Sequence, residues 1–158
     1  MNMTTQAGIE LRLDQSIEVL LVEDNPDDLD MTLRALRKAH LANCIQVARD
    51  GAEALEFLFG TGAHAGRKIE NGPKVILLDL KLPKIDGLEV LRRVKGDPRT
   101  KMIPVVVLTS SKEQPDVREC YELGVNSYIV KPVNFERFAS AVAELGMYWL
   151  LLNHPPNR

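Results

Sequence analysis

Cysteine, aromatic residues and basic excess are all scarce in this chain. Among its 158 residues there are two cysteines, one tryptophan and 5% aromatics. Cys44 and Cys120 stand far apart in apolar contexts with no signal peptide ahead of them, so they do not make a disulfide scaffold. We read both as reduced and structural. The formal net charge is −2, and no basic excess offers a surface to nucleic acid. The longest apolar run near the C-terminus, 147–152, is far too short to span a bilayer, and residues 1–16 contain neither a basic stretch nor an apolar leader core. A soluble, cytoplasmic protein is expected, with no membrane partner. No internal repeat is present. Nor is there a glycine-rich phosphate loop after the first apolar run; its place is taken by Glu23-Asp24-Asn25-Pro26-Asp27-Asp28.

What is present is a regular alternation. With 45% hydrophobic residues the chain can bury a proper core. Short apolar runs at 17–22, 44–48, 74–78, 103–109 and 127–130 read as strands. Each is followed by an amphipathic helix. The first opens on Asn25 as cap, with Pro26 at its first position and two acids in its first turn, and is expected to end near His40. The second opens at Asp50-Gly51, the third centres on 88–94, the fourth ends at Gly124, and the last carries apolar positions from Phe135 to Leu152 at spacings of three and four. Continuous apolar strands alternating with helices predict a parallel sheet covered on both faces. The expected fold is α/β, a (βα)5 flavodoxin-like arrangement with a five-stranded parallel sheet of order 2-1-3-4-5. We divide the chain into a loose arm over 1–16, one domain over 17–153 and a tail over 154–158. The stretch 60–73, rich in glycine and charge, is expected to be a long loop of functional or merely tolerated kind.

In such sheets ligands bind beyond the C-terminal ends of the strands. The polar residues expected there are Glu23 and Asp24 after strand one, Asp79 after strand three, Thr109 ending strand four and Lys131 after strand five. Asp79 follows four aliphatic residues, a placement in which a carboxylate needs partners. Three converging carboxylates repel, and a hard divalent cation such as Mg2+ resolves that repulsion. Asp79 is a nucleophile that is ionised at neutral pH without a general base. The metal and Lys131 would offset its repulsion from a phosphorus centre, and Thr109 would supply a hydroxyl donor. Taken singly, these residues have blander readings: Asp24 as a helix-cap acid, Thr109 as a β-branched strand residue, Lys131 as a surface lysine, Glu23 as a solvated acid. Their coincidence at one edge carries the argument.

Four motifs, Glu23-Asp24, Leu77-Leu78-Asp79-Leu80 with Pro83 and Asp86-Gly87, Leu108-Thr109-Ser110, and Tyr128-Ile129-Val130-Lys131-Pro132, stand in this order. So arranged, the chain resembles the CheY-like receiver domains of two-component response regulators from about Ile17 to Leu152. The resemblance implies that Asp79 accepts phosphate from a histidine kinase. It implies that Asp24, Glu23, Asp79 and the backbone carbonyl of Lys81 hold Mg2+, that Thr109 and Lys131 contact the phosphoryl group, and that Tyr128 turns inward as Thr109 is drawn toward it. It further implies a phospho-acceptor rather than an enzyme, and a Lys131–Pro132 bond that is often cis. The 60–73 insertion, the run Cys120-Tyr121-Glu122-Leu123-Gly124-Val125-Asn126 and the long final helix resemble the small response regulators of bacterial and cyanobacterial phytochromes, so a bacteriophytochrome is the implied kinase. Lys81 and Ser111, each two residues past a strand-end group, are placed to face the mouth of the site; Lys81 is expected to tune how fast water removes the phosphate.

Trp149 is most simply a core residue, yet Met147, Tyr148, Leu150 and Leu151 make the final turns apolar almost all round. With no output domain visible, a second copy is the expected cover: a homodimer using Tyr148, Trp149 and Leu151, with the fifth strand and fourth helix beside them. The downstream target has no signature in the sequence. Two enzymes or cofactor binders compete poorly. A phosphatase of the haloacid dehalogenase type needs a second Asp where Lys81 stands, and a flavodoxin-like cofactor site needs free N–H groups where the acidic loop stands. A degenerate receiver, acting as a docking protein without phosphorylation, is the alternative that remains.

Overall fold

The computed structural model describes residues 17–40, 44–131 and 134–156. Five strands, β1 (Val19–Val22), β2 (Ile45–Ala48), β3 (Val75–Leu78), β4 (Val105–Thr109) and β5 (Ser127–Val130), form one parallel sheet in the order β2-β1-β3-β4-β5. The helices are α1 (Pro26–Lys38), α2 (Gly51–Phe59), α3 (Gly87–Gly96), α4 (Gln114–Leu123) and α5 (Phe135–Gly146). The expected arm over 1–16 lies outside the described residues.

Strand parity explains why the apolar runs have no polar break. Leu20, Val22, Ile76, Leu78, Val105 and Val107 face one cluster, closed by Leu55 of α2, Val90 and Leu91 of α3 and Cys120 of α4. Val19, Leu21, Val75, Leu77, Val106 and Leu108 face the opposite side, closed by α1 and α5 through Leu29, Leu36, Phe138 and Val142. Successive side chains point to opposite faces, so a sheet buried on both sides needs every residue apolar. The caps work as read from the sequence. The Asn25 side chain accepts from the backbone N–H groups of Asp27 and Asp28 at 2.9 and 3.0 Å. Gly60 ends α2 at φ 65°, a left-handed position that favours glycine.

Three details depart from expectation. The fourth strand begins at Val105, not Ile103, with the Pro104 carbonyl accepting from Ile76 N at 2.9 Å. The 60–73 segment is a built loop. It makes short 3-10 turns at Gly62–His64 and Ile69–Asn71, and the Arg67 guanidinium donates to the carbonyls of Phe57 and Asn71 while lying 3.7 Å over the Phe57 ring. The last helix is not regular for five turns: it is α-helical to Gly146 and then widens into a π-helical segment, Met147–Leu152. That widening seats Leu150 and the half-buried Trp149 on the cluster of β1, β3 and β4. It leaves Met147, Tyr148 and Leu152 at 54%, 50% and 69% exposure. Among the described residues no helix is long and apolar enough to cross a membrane.

Candidate functional site

The register of the sheet brings the strand ends together. Val22 of β1 pairs with Leu78 of β3, so Glu23 and Asp79, the next residue on each strand, become neighbours. Thr109 and Val130 pair at the ends of β4 and β5, and Lys131 N donates to the Thr109 carbonyl at 2.7 Å. Gly87 sets the floor of the site. Its N–H donates to the Leu80 carbonyl at 2.8 Å, and a Cβ there would lie 2.2 Å from the Asp79 carbonyl oxygen, so only glycine allows α3 to start this close.

Lys131 is the hub. Its Nζ donates to Glu23 Oε1 at 2.5 Å, to Asp28 Oδ2 at 2.9 Å and to Asp79 Oδ2 at 3.1 Å. An ammonium has three N–H donors, and all three are engaged. Glu23 is 2% exposed and Asp79 8% exposed, so both carboxyls are removed from water. The two respond in opposite directions. Burial pushes Glu23 up to about 7, with Asp79 adding to the rise and Lys131 opposing it. Burial acts on Asp79 too, but hydrogen bonds from Glu23 and Thr109 and the Lys131 charge outweigh it and hold Asp79 below the usual carboxylate range. Below about pH 7 the pair therefore shares a proton that resides on Glu23, and Asp79 is ionised. Lys131 stays charged: burial works against its ammonium, but Glu23 and Asp28 raise it above the ordinary lysine value.

Asp24 is exposed beside this pair. One oxygen each from Glu23, Asp24 and Asp79 can lie within 4.8 Å of one another. Three carboxylate oxygens converging in this way are the donor set of a hard divalent cation. Lys81 lies just past β3; its side chain is exposed, and its N–H makes a long 3.4 Å contact to Asp79 Oδ1. Thr109 is fully buried at the end of β4. Tyr128 is half-buried on β5, with its hydroxyl donating to the Ser111 carbonyl at 2.7 Å.

Two residues differ from the sequence reading. Ser111 does not face the mouth of the site: it is buried, and its hydroxyl donates to Asp116 Oδ2 at 2.5 Å, a carboxylate presented by the first turn of α4. Asp28, read only as a helix-start acid, is a partner of Lys131. The Lys131–Pro132 bond, implied to be cis in many relatives, involves a residue outside the described ones.

The chain matches the family model of the response regulator receiver domain over residues 19–143. It belongs to that family. The receiver is 40% identical over 150 residues to a probable methanogenesis regulatory protein, FilR2, of Methanothrix harundinacea, covering 95% of this chain and 94% of the other. It is 40% identical over 134 residues to response regulator Rcp1 of Synechocystis, covering 84% and 88%. Among solved structures it resembles the phosphorylated cyanobacterial phytochrome response regulator RcpA, at TM-score 0.82 and 38% identity over 90% of this chain and 99% of that one. The Mn2+-bound form of Rcp1 matches at TM-score 0.80 and 38% identity, covering 87% and 97%. The bacteriophytochrome response regulator AtBRR matches at TM-score 0.69 and 55% identity, covering 89% and 99%. The receiver is thus a phosphorelay protein closely related to the phytochrome response regulators, and a divalent-metal site is a feature of its solved relatives.

Proposed function

We propose that Asp79 accepts a phosphoryl group from a histidine kinase. The observation that carries this reading is a buried carboxylate held ionised at the end of β3, between the Lys131 ammonium and the Glu23–Asp24 pair. The Asp79 oxygen attacks phosphorus in line; the P–O bond forms as the P–N bond to the kinase histidine breaks, and the imidazole leaves. Glu23, Asp24, Asp79 and the Lys81 carbonyl would hold Mg2+, which would supply positive charge for the phosphoryl oxygens. Lys131 re-aims an N–H at one of those oxygens, and the Thr109 hydroxyl donates to another. Moving Thr109 also moves the backbone that runs to Ser111, whose carbonyl holds Tyr128, so Tyr128 is the residue that reports occupancy to the β4–α4 surface.

Mass spectrometry of the protein incubated with Mg2+ and acetyl phosphate should show an added mass of about 80 Da, the size of one phosphoryl group. Asp79→Asn should show none. No adduct on the wild type, or an equal adduct on the variant, overturns the reading and favours a receiver that docks without phosphorylation.

A bacteriophytochrome in the cytoplasm is the kinase this reading favours, supported by the 55% identity to AtBRR. The 40% identity to FilR2 across nearly the whole chain makes a different sensor the competing donor, and direct phosphotransfer from a purified phytochrome kinase separates the two. The domain proposed is 17–153. We further propose that a second copy covers the end of the chain. Exposed Met147, Tyr148 and Leu152 support it, and the Trp149 ring stacks edge-on against Tyr148 at 4.9 Å. Of the expected contact residues, Tyr148 is free to take part, Trp149 is partly used by the core, and the Leu151 side chain lies outside the described ones. Sedimentation at tens of micromolar should give a dimer that Tyr148→Glu dissociates; monomer alone, with and without an acyl-phosphate mimic, overturns it.

A further inference from the structure

Asp28 is the carboxylate at this site that neither the metal set nor the acceptor role uses. It stands in the first turn of α1, where an acid is an ordinary helix feature. That role does not explain its contact with Lys131, 103 positions further along the chain. The turn that carries it is held in place: the Asn25 side chain accepts from the Asp28 N–H, and the Thr32 hydroxyl donates to the Asp28 carbonyl at 2.8 Å. Its side chain is 32% exposed, against 3% for Glu23, so Asp28 forms the outer lip of the site.

We propose that Asp28 is the positioning residue for Lys131, the tether that keeps the ammonium aimed at the acceptor while its other bonds are exchanged. This rests on the phospho-acceptor reading above. Lys131 has three carboxylate partners. Two of them, Glu23 and Asp79, belong to the cluster of oxygens that converge with Asp24. A cation drawn to that cluster, or a phosphoryl group arriving on Asp79, competes with Lys131 for those two. Neither competes for Asp28, which lies outside the cluster. The bond to Asp28 is therefore the one that persists through the reaction. It holds one N–H outward and leaves two to swing from carboxylate to phosphoryl oxygen. A lysine stem is flexible, and without this tether the ammonium samples positions from which it cannot reach the transferring group.

Asp28→Asn and Asp28→Ala separate tether from charge. The amide oxygen of Asn still accepts a hydrogen bond from Lys131; Ala does not. With Mg2+ and saturating acetyl phosphate, the limiting phosphorylation rate of Asp28→Ala should fall about tenfold, a size typical of a misplaced reacting group, and Asp28→Asn should recover most of it. In 15N spectra of the lysine ammonium groups, the Lys131 signal, assigned by its loss in Lys131→Arg, should be sharp in wild type and Asp28→Asn and broadened in Asp28→Ala. Melting temperatures show whether the helix start is disturbed. Rates equal to or above wild type in both variants would make Asp28 only a repelling charge and overturn the proposal. Equal losses in both, tracking a lowered melting temperature, would reduce it to a helix-start acid and overturn it too. If the wild type takes no phosphoryl group, the phospho-acceptor reading fails by itself, while the Lys131 signal still decides the tether.

Discussion

Lys131→Met is expected to destabilise the protein without Mg2+ by about 3 kcal/mol at pH 8, and by about half of that at pH 5.5, on the scale of breaking a buried ion pair from one side. Methionine keeps the apolar stem and removes the charge. What remains is Glu23, with 3% of its side chain exposed, facing Asp79 with 10%, and no cation between them. Lys131 lowers the value of Glu23, so its removal raises Glu23 further; at pH 8 the folded variant must either take up a proton or hold two like charges in a poorly solvated place. At pH 5.5 Glu23, which has a value of about 7 even beside Lys131, carries a proton it can donate to Asp79, and the repulsion is gone. Urea unfolding at the two pH values, with unchanged denaturant slope, reads the difference directly. Adding Mg2+ at pH 8 should restore most of the loss. Equal losses at both pH values would mean that the cost lies in the bonds Lys131 gives Asp28 and Asp79, and not in the ionisation of Glu23.

The sheet and most of the site were legible because the relevant signals are local in sequence. Val19–Val22 and Val75–Leu78 are apolar without a break, which only a strand buried on both faces requires, and the acids that follow them fall at one edge once the strands are parallel. Asn25 and Pro26 announced the start of α1, and Gly60 and Gly124 the ends of α2 and α4. What stayed hidden depends on contacts between distant residues. Asp28 looked like any first-turn acid because its reason for being there is Lys131. Ser111 shares its strand-end position with residues that face a ligand, but Asp116 on the next helix captures its hydroxyl. The π-helical widening after Gly146 leaves the hydrophobic pattern nearly unchanged, so spacing alone read it as more α-helix. The 60–73 loop looked irregular because one guanidinium, Arg67, organises it through the Phe57 and Asn71 carbonyls, and a carbonyl partner has no signature in sequence.

The shared proton of the acid pair also governs the metal. Glu23 has a folded value of about 7 against an unfolded 4.5. The native state therefore holds a proton that the unfolded chain releases. Without a divalent cation, the stability Glu23 contributes is complete below about pH 4.5 and is lost as pH rises through about 7. A cation binding Glu23, Asp24 and Asp79 must displace that proton, because only the ionised carboxylate is a good ligand for a hard ion. With a value near 7, Glu23 is ionised in roughly 3% of molecules at pH 5.5 and about 90% at pH 8. Mg2+ should accordingly bind about thirtyfold more weakly at pH 5.5 than at pH 8. Calorimetric titration at pH 6 in buffers of different ionisation enthalpy should count about one proton released per ion bound. Glu23→Gln should bind more weakly throughout and lose the pH dependence over this range. An affinity that is flat from pH 5.5 to 8 in the wild type would mean that Glu23 keeps its proton when the ion arrives and that Asp24 and Asp79 hold the ion without it.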